Sequence, residues 1–159
     1  MATLPRVSMN ADLSEGLCFG CGKNNPIGLK LKFRRDGEGV KTEFTPGSQY
    51  QGWPGMVHGG ILTCMLDEAM TYAARFAGAM CITARMEVKL KHLVPVEEPL
   101  IITSSVTRHT RRLLNTRAEV CLRDGTVVAE GTSTQFVIEA KSGETSNMGG
   151  TQTDAGKQA

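Results

Sequence analysis

Apolar and polar positions alternate in two early segments, "LKLKFRR" and "VKTEFT", on either side of "DGEG", a pattern that predicts a β-hairpin opening the fold. The period then changes. After the turn at Pro54 and Gly55, a helical segment is predicted from Gly59 to about Ala77, ended by Gly78. Its apolar residues include Ile61, Leu62, Met65, Leu66, Met70, Tyr72 and Phe76 and reach nearly every face, so the helix should be buried on most sides. Period two returns in "TARMEVKLKHLV", "LIITSSVTRHT", "LLNTRAEVCLRD" and "TVVAEGTSTQFVIEA", broken from Pro95 to Pro99, around Arg111 and at Asp124-Gly125. The expected class is α+β: a long central helix wrapped by a curved antiparallel sheet of about six strands. The domain should span 18–139, after an N-terminal extension over 1–17 and before a disordered polar tail over 140–159, "KSGETSNMGGTQTDAGKQA" and its neighbours, which carry almost no apolar residues.

Composition narrows the class. With 159 residues, 40% hydrophobic and 21% charged, the chain is of ordinary single-domain type. A net charge of +2 with no Lys/Arg block longer than a pair argues against nucleic acid as a partner. No stretch reaches membrane-spanning length and "MATLPRVSMNADLSEG" lacks a signal-peptide core, so no membrane partner and a cytoplasmic location are expected. Five cysteines, an odd number, then read as free thiols. Cys18 and Cys21 form a C-x2-C pair in "CFGCGKNNPIG", but no second pair follows to complete four ligands, so no metal is expected and the segment reads as a Gly-rich loop before the first strand.

The chemistry concentrates in "GMVHGGILTCMLDEAM". Together with "TARMEV" and, near the end, "RR…VCLRDGTVVAEGT", this stretch resembles the PaaI-type branch of the hotdog-fold acyl-CoA thioesterases over about residues 18 to 139. The resemblance implies a hotdog fold, an acyl-CoA substrate, no cofactor, an acidic nucleophile or general base, and active sites shared between two chains of a homodimer or a dimer of dimers. The acid nine residues after His58 is Asp67; the Gly directly after the His, Gly59, corresponds to the oxyanion donor. Thr71 and Thr83 stand where related enzymes place a helper hydroxyl, on the helix or the following strand. Position 52, where the family often has Asn or Gln, is Gly52, with Gln49 and Gln51 beside it.

These residues also make physical sense alone. A carboxylate in an apolar helix needs hydrogen-bond partners or is held protonated, and the second case suits a general base, which favours Asp67. Glu68, about 100° round the helix, is expected to face solvent or an interface and pair with a basic residue. The first N–H groups of a helix lack intrahelical acceptors and lie at its positive end, so Gly59 suits a developing oxyanion and, as a glycine, keeps the approach open; Gly60 beside it is a substrate-binding candidate or a turn glycine needing positive φ, and His58 either caps the loop or polarises a carbonyl. Gly59 and Asp67 are about 12 Å apart along the helix, too far to meet at one carbonyl, so two antiparallel helices from two chains would have to combine them.

For the coenzyme A phosphates, Arg111 and Arg112, with Arg108, offer guanidinium groups at a strand turn, though a solvated charged turn is an equal reading. Trp53 and Met56, with Met65 and Met70, are candidates for the acyl pocket, and Met at such spacing also serves as plain core. Two other activities fit the pattern: a hotdog acyl-thioester hydratase or dehydratase, which would need a His/Asp pair poised on the substrate, and a non-catalytic acyl-CoA-binding regulator, which would keep the pocket without needing Asp67.

Overall fold

A computed structural model describes residues 16–138. The tail expected over 140–159 lies outside the described residues, as do the first fifteen residues of the 1–17 extension. In chain order the elements are β1 (Arg34–Asp36), β2 (Gly39–Phe44), a short 3-10 turn (Ser48–Tyr50), α1 (Gly59–Phe76), β3 (Cys81–Leu90), β4 (Leu100–His109), β5 (Leu113–Leu122) and β6 (Val127–Val137). All strands pair antiparallel in one sheet of order β1-β2-β4-β5-β6-β3, and α1 packs across it, the hotdog arrangement. Among the described residues no helix is long and apolar enough to cross a membrane.

The opening hairpin forms, but β1 is shorter than the alternation in "LKLKFRR" predicts. Lys30 takes a left-handed conformation (φ 56°), which interrupts an extended strand. Leu29 and Leu31 are nevertheless buried in the main hydrophobic core, and their N–H groups bond to the carbonyls of Phe19 and Gly20 at 2.8 and 2.9 Å. This segment therefore pairs with the Gly-rich loop instead of with β2. Only from Arg34 onward does the chain enter the sheet, turning at Gly37 (φ 55°) between Asp36 and Gly39.

The helix runs from Gly59 to Phe76 and stops for a backbone reason. Gly78 adopts φ 82°, its N–H bonds the Arg75 carbonyl at 2.9 Å, and the Ala79 N–H reaches back to Ala74 at 3.0 Å; this paired pattern is a Schellman end. Burial of α1 is narrower than the all-round apolar pattern suggests. Leu62, Met65, Leu66, Ala69, Met70, Ala73 and Ala74 form one buried stripe, spaced three and four apart, against Leu100, Ile102, Ala118, Val120 and Val128 of the sheet. Ile61, Cys64, Asp67, Glu68, Thr71 and Tyr72 stay half-buried on its flanks.

At the other end of the sheet β3 is an edge, paired only with β6. The register slips between Thr83 and Arg85, a bulge that changes which residues face α1: Cys81 and Thr83 are half-buried before it, Met86 and Val88 after it.

Candidate active site

Asp67 lies on the flank of α1 that faces β3, and Thr83 meets it there. The Thr83 Oγ1 hydroxyl donates to Asp67 Oδ1 at 2.9 Å. The half-buried carboxylate thus has a partner, and its second oxygen carries no protein bond to a described residue. Without the bulge after Thr83 the strand's alternation would have to choose between Thr83 and the pair Met86 and Val88 for the helix side. Thr71, the other expected hydroxyl, stands one helical turn beyond Asp67, half-buried.

At the start of α1 the four N–H groups without helical predecessors can be accounted for one by one. The His58 N–H bonds the Tyr50 carbonyl at 2.9 Å, Ile61 donates to the His58 carbonyl at 2.9 Å, and Gly60 donates to His58 Nδ1 at 2.8 Å. Gly59 alone has no acceptor among the described residues. His58 is therefore the N-cap, with its imidazole folded back over the helix start, and Gly60 is required because a Cβ there would lie 2.9 Å from that ring nitrogen. Neither Gly59 nor Gly60 has a positive φ.

The loop leading into the helix is fixed on both sides. Val57 N–H bonds the Val94 carbonyl at 2.8 Å, His58 N–H bonds the Tyr50 carbonyl at 2.9 Å, and Tyr50 Oη donates to the Gly28 carbonyl at 2.9 Å. Gln51 Oε1 accepts from the Gly55 N–H at 3.0 Å, so this side chain holds the Pro54-Gly55 turn. Trp53, on that turn, is 81% exposed, and Met56 is half-buried beside it. Met65 and Met70 are fully enclosed in the core and line no opening.

Arg108, Arg111 and Arg112 are exposed around the β4–β5 turn. Cross-strand register ties that turn to the site: Leu114 pairs with Gln135 and Gln135 with Thr83, so Thr83 lies two strand spacings, about 10 Å, from Leu114. Gln135 on this row was not foreseen from the sequence. It is fully buried, its Nε2 donates to Ser133 Oγ at 3.2 Å, Ser133 and Thr116 share a 2.7 Å hydroxyl contact, and its Oε1 has no partner among the described residues. A polar residue at an inward strand position is the only sequence signal it carries.

Burial first, then the charges of Glu68 and Asp67, push the Cys64 thiol up to about 11, so it stays protonated near neutrality. Glu68 differs from expectation: its carboxylate faces the thiol of Cys18, with Sγ 3.8 and 3.7 Å from its two oxygens, and it makes no ion pair with a basic residue among the described residues.

Comparison with known proteins fits this arrangement. Residues 54–129 match the family model described as "Thioesterase superfamily". The chain is 37% identical over 59 residues to the Homo sapiens acyl-coenzyme A thioesterase THEM5, covering 37% of this chain and 24% of that protein, so it spans about a quarter of its relative's length. A crystal structure of a thioesterase superfamily protein superposes with a TM-score of 0.72 at 25% identity, covering 77% of this chain and 61% of the other. A Streptococcus pneumoniae TIGR4 hypothetical thioesterase, solved with coenzyme A, superposes with a TM-score of 0.66 at 17% identity, over 70% and 88% of the two chains.

The cap at the helix start can be tested on stability alone. His58→Ala removes the acceptor of the Gly60 N–H and should lower unfolding free energy by about 1 kcal/mol. His58→Asn, a good N-cap, should restore most of it. Urea unfolding at fixed protein concentration measures both, and equal midpoints for His58→Ala and wild type would remove the capping role.

Proposed function

We propose, starting from the match of residues 54–129 to the thioesterase superfamily, that this chain hydrolyses an acyl-CoA thioester to a free acid and coenzyme A. The observation that carries the reading is the Asp67–Thr83 pair together with the Gly59 N–H at the start of the same helix, which has no acceptor among the described residues. Asp67 attacks the thioester carbonyl, or removes a proton from a water that does so. The carbonyl oxygen gains negative charge as the bond to oxygen forms, and a backbone N–H at the positive end of a helix stabilises it. Collapse of this intermediate breaks the C–S bond; the thiolate leaves and is protonated, and in the nucleophilic variant water then cleaves the acyl–Asp67 anhydride.

Thr83 orients the carboxylate by holding Oδ1, which leaves the other oxygen for the substrate or water. Thr71, one turn on, is placed to hold that water. His58 uses Nδ1 to cap the helix and Asp67 is about 13 Å further along it, so a His/Asp pair of the kind a hydratase needs could form only between two chains. For the same reason the Gly59 donor and the Asp67 acid of one site come from two chains, the helices running antiparallel across a two-fold axis of a homodimer.

The coenzyme A bound to the Streptococcus pneumoniae neighbour supports the same ligand class here. Its phosphates would meet Arg111 and Arg112 at the β4–β5 turn, with Trp53, Met56 and Gly60 near the acyl end.

Thiol release from a panel of acyl-CoAs, followed colorimetrically, tests the activity. Turnover supports a thioesterase; binding without release would make the chain an acyl-CoA-binding regulator, and loss of a crotonyl double bond without thiol would make it a hydratase. Asp67→Asn should lower kcat at least about 100-fold while the fold persists, because the carboxamide oxygen can still accept from Thr83. A folded Asp67→Asn protein with near-normal turnover would overturn the assignment of Asp67.

Substrate binding separates from chemistry in a second measurement. Arg111→Ala with Arg112→Ala should raise KM for coenzyme A thioesters much more than for a truncated thioester lacking the nucleotide. Equal effects on both substrates would leave the turn no phosphate role.

A mixed dimer tests whether the site is shared. Gly59→Pro deletes the free N–H at the first helical position, where His58 already has the extended conformation (φ −64°, ψ 132°) that a following proline demands. Co-refolded with Asp67→Asn, it should give dimers in which one site holds both lesions and the other holds none, so activity returns to about half of wild type per mixed dimer. Heterodimers that remain inactive would contradict the two-chain site and leave the hydrolase activity untouched.

A further inference from the structure

We propose that Cys18, Cys21 and Glu68 bind a divalent transition-metal cation of the zinc class, joining the N-terminal loop to the flank of α1. One ligand atom from each of the three residues lies within 4.8 Å of the others. Read in sequence, the C-x2-C pair lacks a second pair; in the fold the third donor is a carboxylate that α1 brings to the loop. Two thiolates and a carboxylate suit zinc, which accepts sulfur and oxygen donors in a tetrahedral set and leaves one position here for water.

The loop is built around these donors. The Gly22 N–H bonds the Cys18 carbonyl at 2.8 Å, which closes the C-x2-C turn and directs both sulfurs the same way. A Cβ on Gly22 would lie 2.3 Å from the Gly16 carbonyl oxygen and 2.5 Å from Cys18 backbone atoms, so this turn admits only glycine. A Cβ on Gly20 would lie 2.4 Å from Glu68 Oε2, so the loop backbone rests directly on the carboxylate. The Leu29 and Leu31 N–H groups then fasten Phe19 and Gly20 to the segment that leads into β1.

Two alternatives explain less. A Cys18–Cys21 disulfide would give the adjacent carboxylate no role. A thiol hydrogen bond to Glu68 is weak at 3.7 to 3.8 Å, and it leaves the acid without a cationic neighbour among the described residues. On binding, the two thiols give their protons to solvent, and the three donors with one divalent cation carry one net negative charge. Cys18 is exposed, which provides a route of entry.

Cobalt(II) is the probe, added to the full chain after chelator treatment under reductant. Tetrahedral visible bands and a sulfur-to-cobalt charge-transfer band should saturate at one equivalent per chain, and zinc should displace the cobalt. Cys18→Ser with Cys21→Ser should abolish the charge-transfer band although three other cysteines remain, and Cys64→Ser should bind as wild type. Glu68→Gln, its fold checked by circular dichroism, should weaken cobalt binding by at least about tenfold. A wild-type protein without the charge-transfer band, or one whose cobalt affinity equals that of the double serine variant, would overturn the site. Unchanged affinity and spectrum in Glu68→Gln would do so even if the double variant failed to fold.

Discussion

The structure depends on how one helix buries a single apolar stripe while carrying two adjacent acids. Leu62, Met65, Leu66, Ala69, Met70, Ala73 and Ala74 must face the sheet, and this fixes the rotation of α1 about its axis. Consecutive residues on a helix diverge by about 100°, so Asp67 and Glu68 cannot share an environment. Asp67 turns toward β3 and finds the Thr83 hydroxyl; Glu68 turns toward the N-terminal loop and finds Cys18. Neither is in the dry stripe, where an unpaired carboxylate would cost several kcal/mol. The acids are held at its margins, close enough to apolar neighbours to be shaped by them and open enough to act.

What each margin does follows from the element that supplies it. β3 is a long edge strand, and edges bearing unpaired N–H and C=O groups invite a further strand. Its bulge lets Thr83 face Asp67 without turning Met86 and Val88 away from the core. The opposite margin is irregular chain, held by a few main-chain bonds between Phe19, Gly20, Leu29 and Leu31. A loop with so little ladder gains most from a cross-link to the helix, so the cluster of sulfur and carboxylate donors stands where a cation would add most order.

Much of this was legible in the sequence because it follows from period and punctuation. The change from period two to a helical segment and back locates α1 and the long strands, and Gly78 ends the helix where its left-handed φ is needed. Asp67 and Gly59 stood out as an acid in an apolar helix and a glycine at its start. The rest depends on neighbours distant in sequence. Lys30's left-handed backbone, which shortens β1, has no signature in "LKLKFRR". The helix reads as apolar all round, because composition does not tell which face the sheet covers. Glu68 reads as the partner of a basic residue because helix spacing finds only neighbours on the same helix, whereas its neighbour Cys18 comes from a loop 50 residues earlier.

The helix start shows how little separates a structural device from a chemical one. Every helix begins with N–H groups that must be satisfied, and here His58 accepts from two of the four, one through its carbonyl and one through its ring, while its own N–H bonds the Tyr50 carbonyl. Had the cap been a Ser or Asp reaching the third helical residue, the unsatisfied donor would have fallen elsewhere. With His folded back on Gly60, the free donor is that of Gly59, the residue closest to the tip of the positive end. A glycine there leaves its N–H open to a ligand except for the Leu90 side chain, whose Cδ1 would stand 2.7 Å from any Cβ. Leu90 ends β3, the same edge strand that carries Thr83, so one strand borders both Asp67 and the Gly59 N–H, and any chain that adds to that edge would run past both.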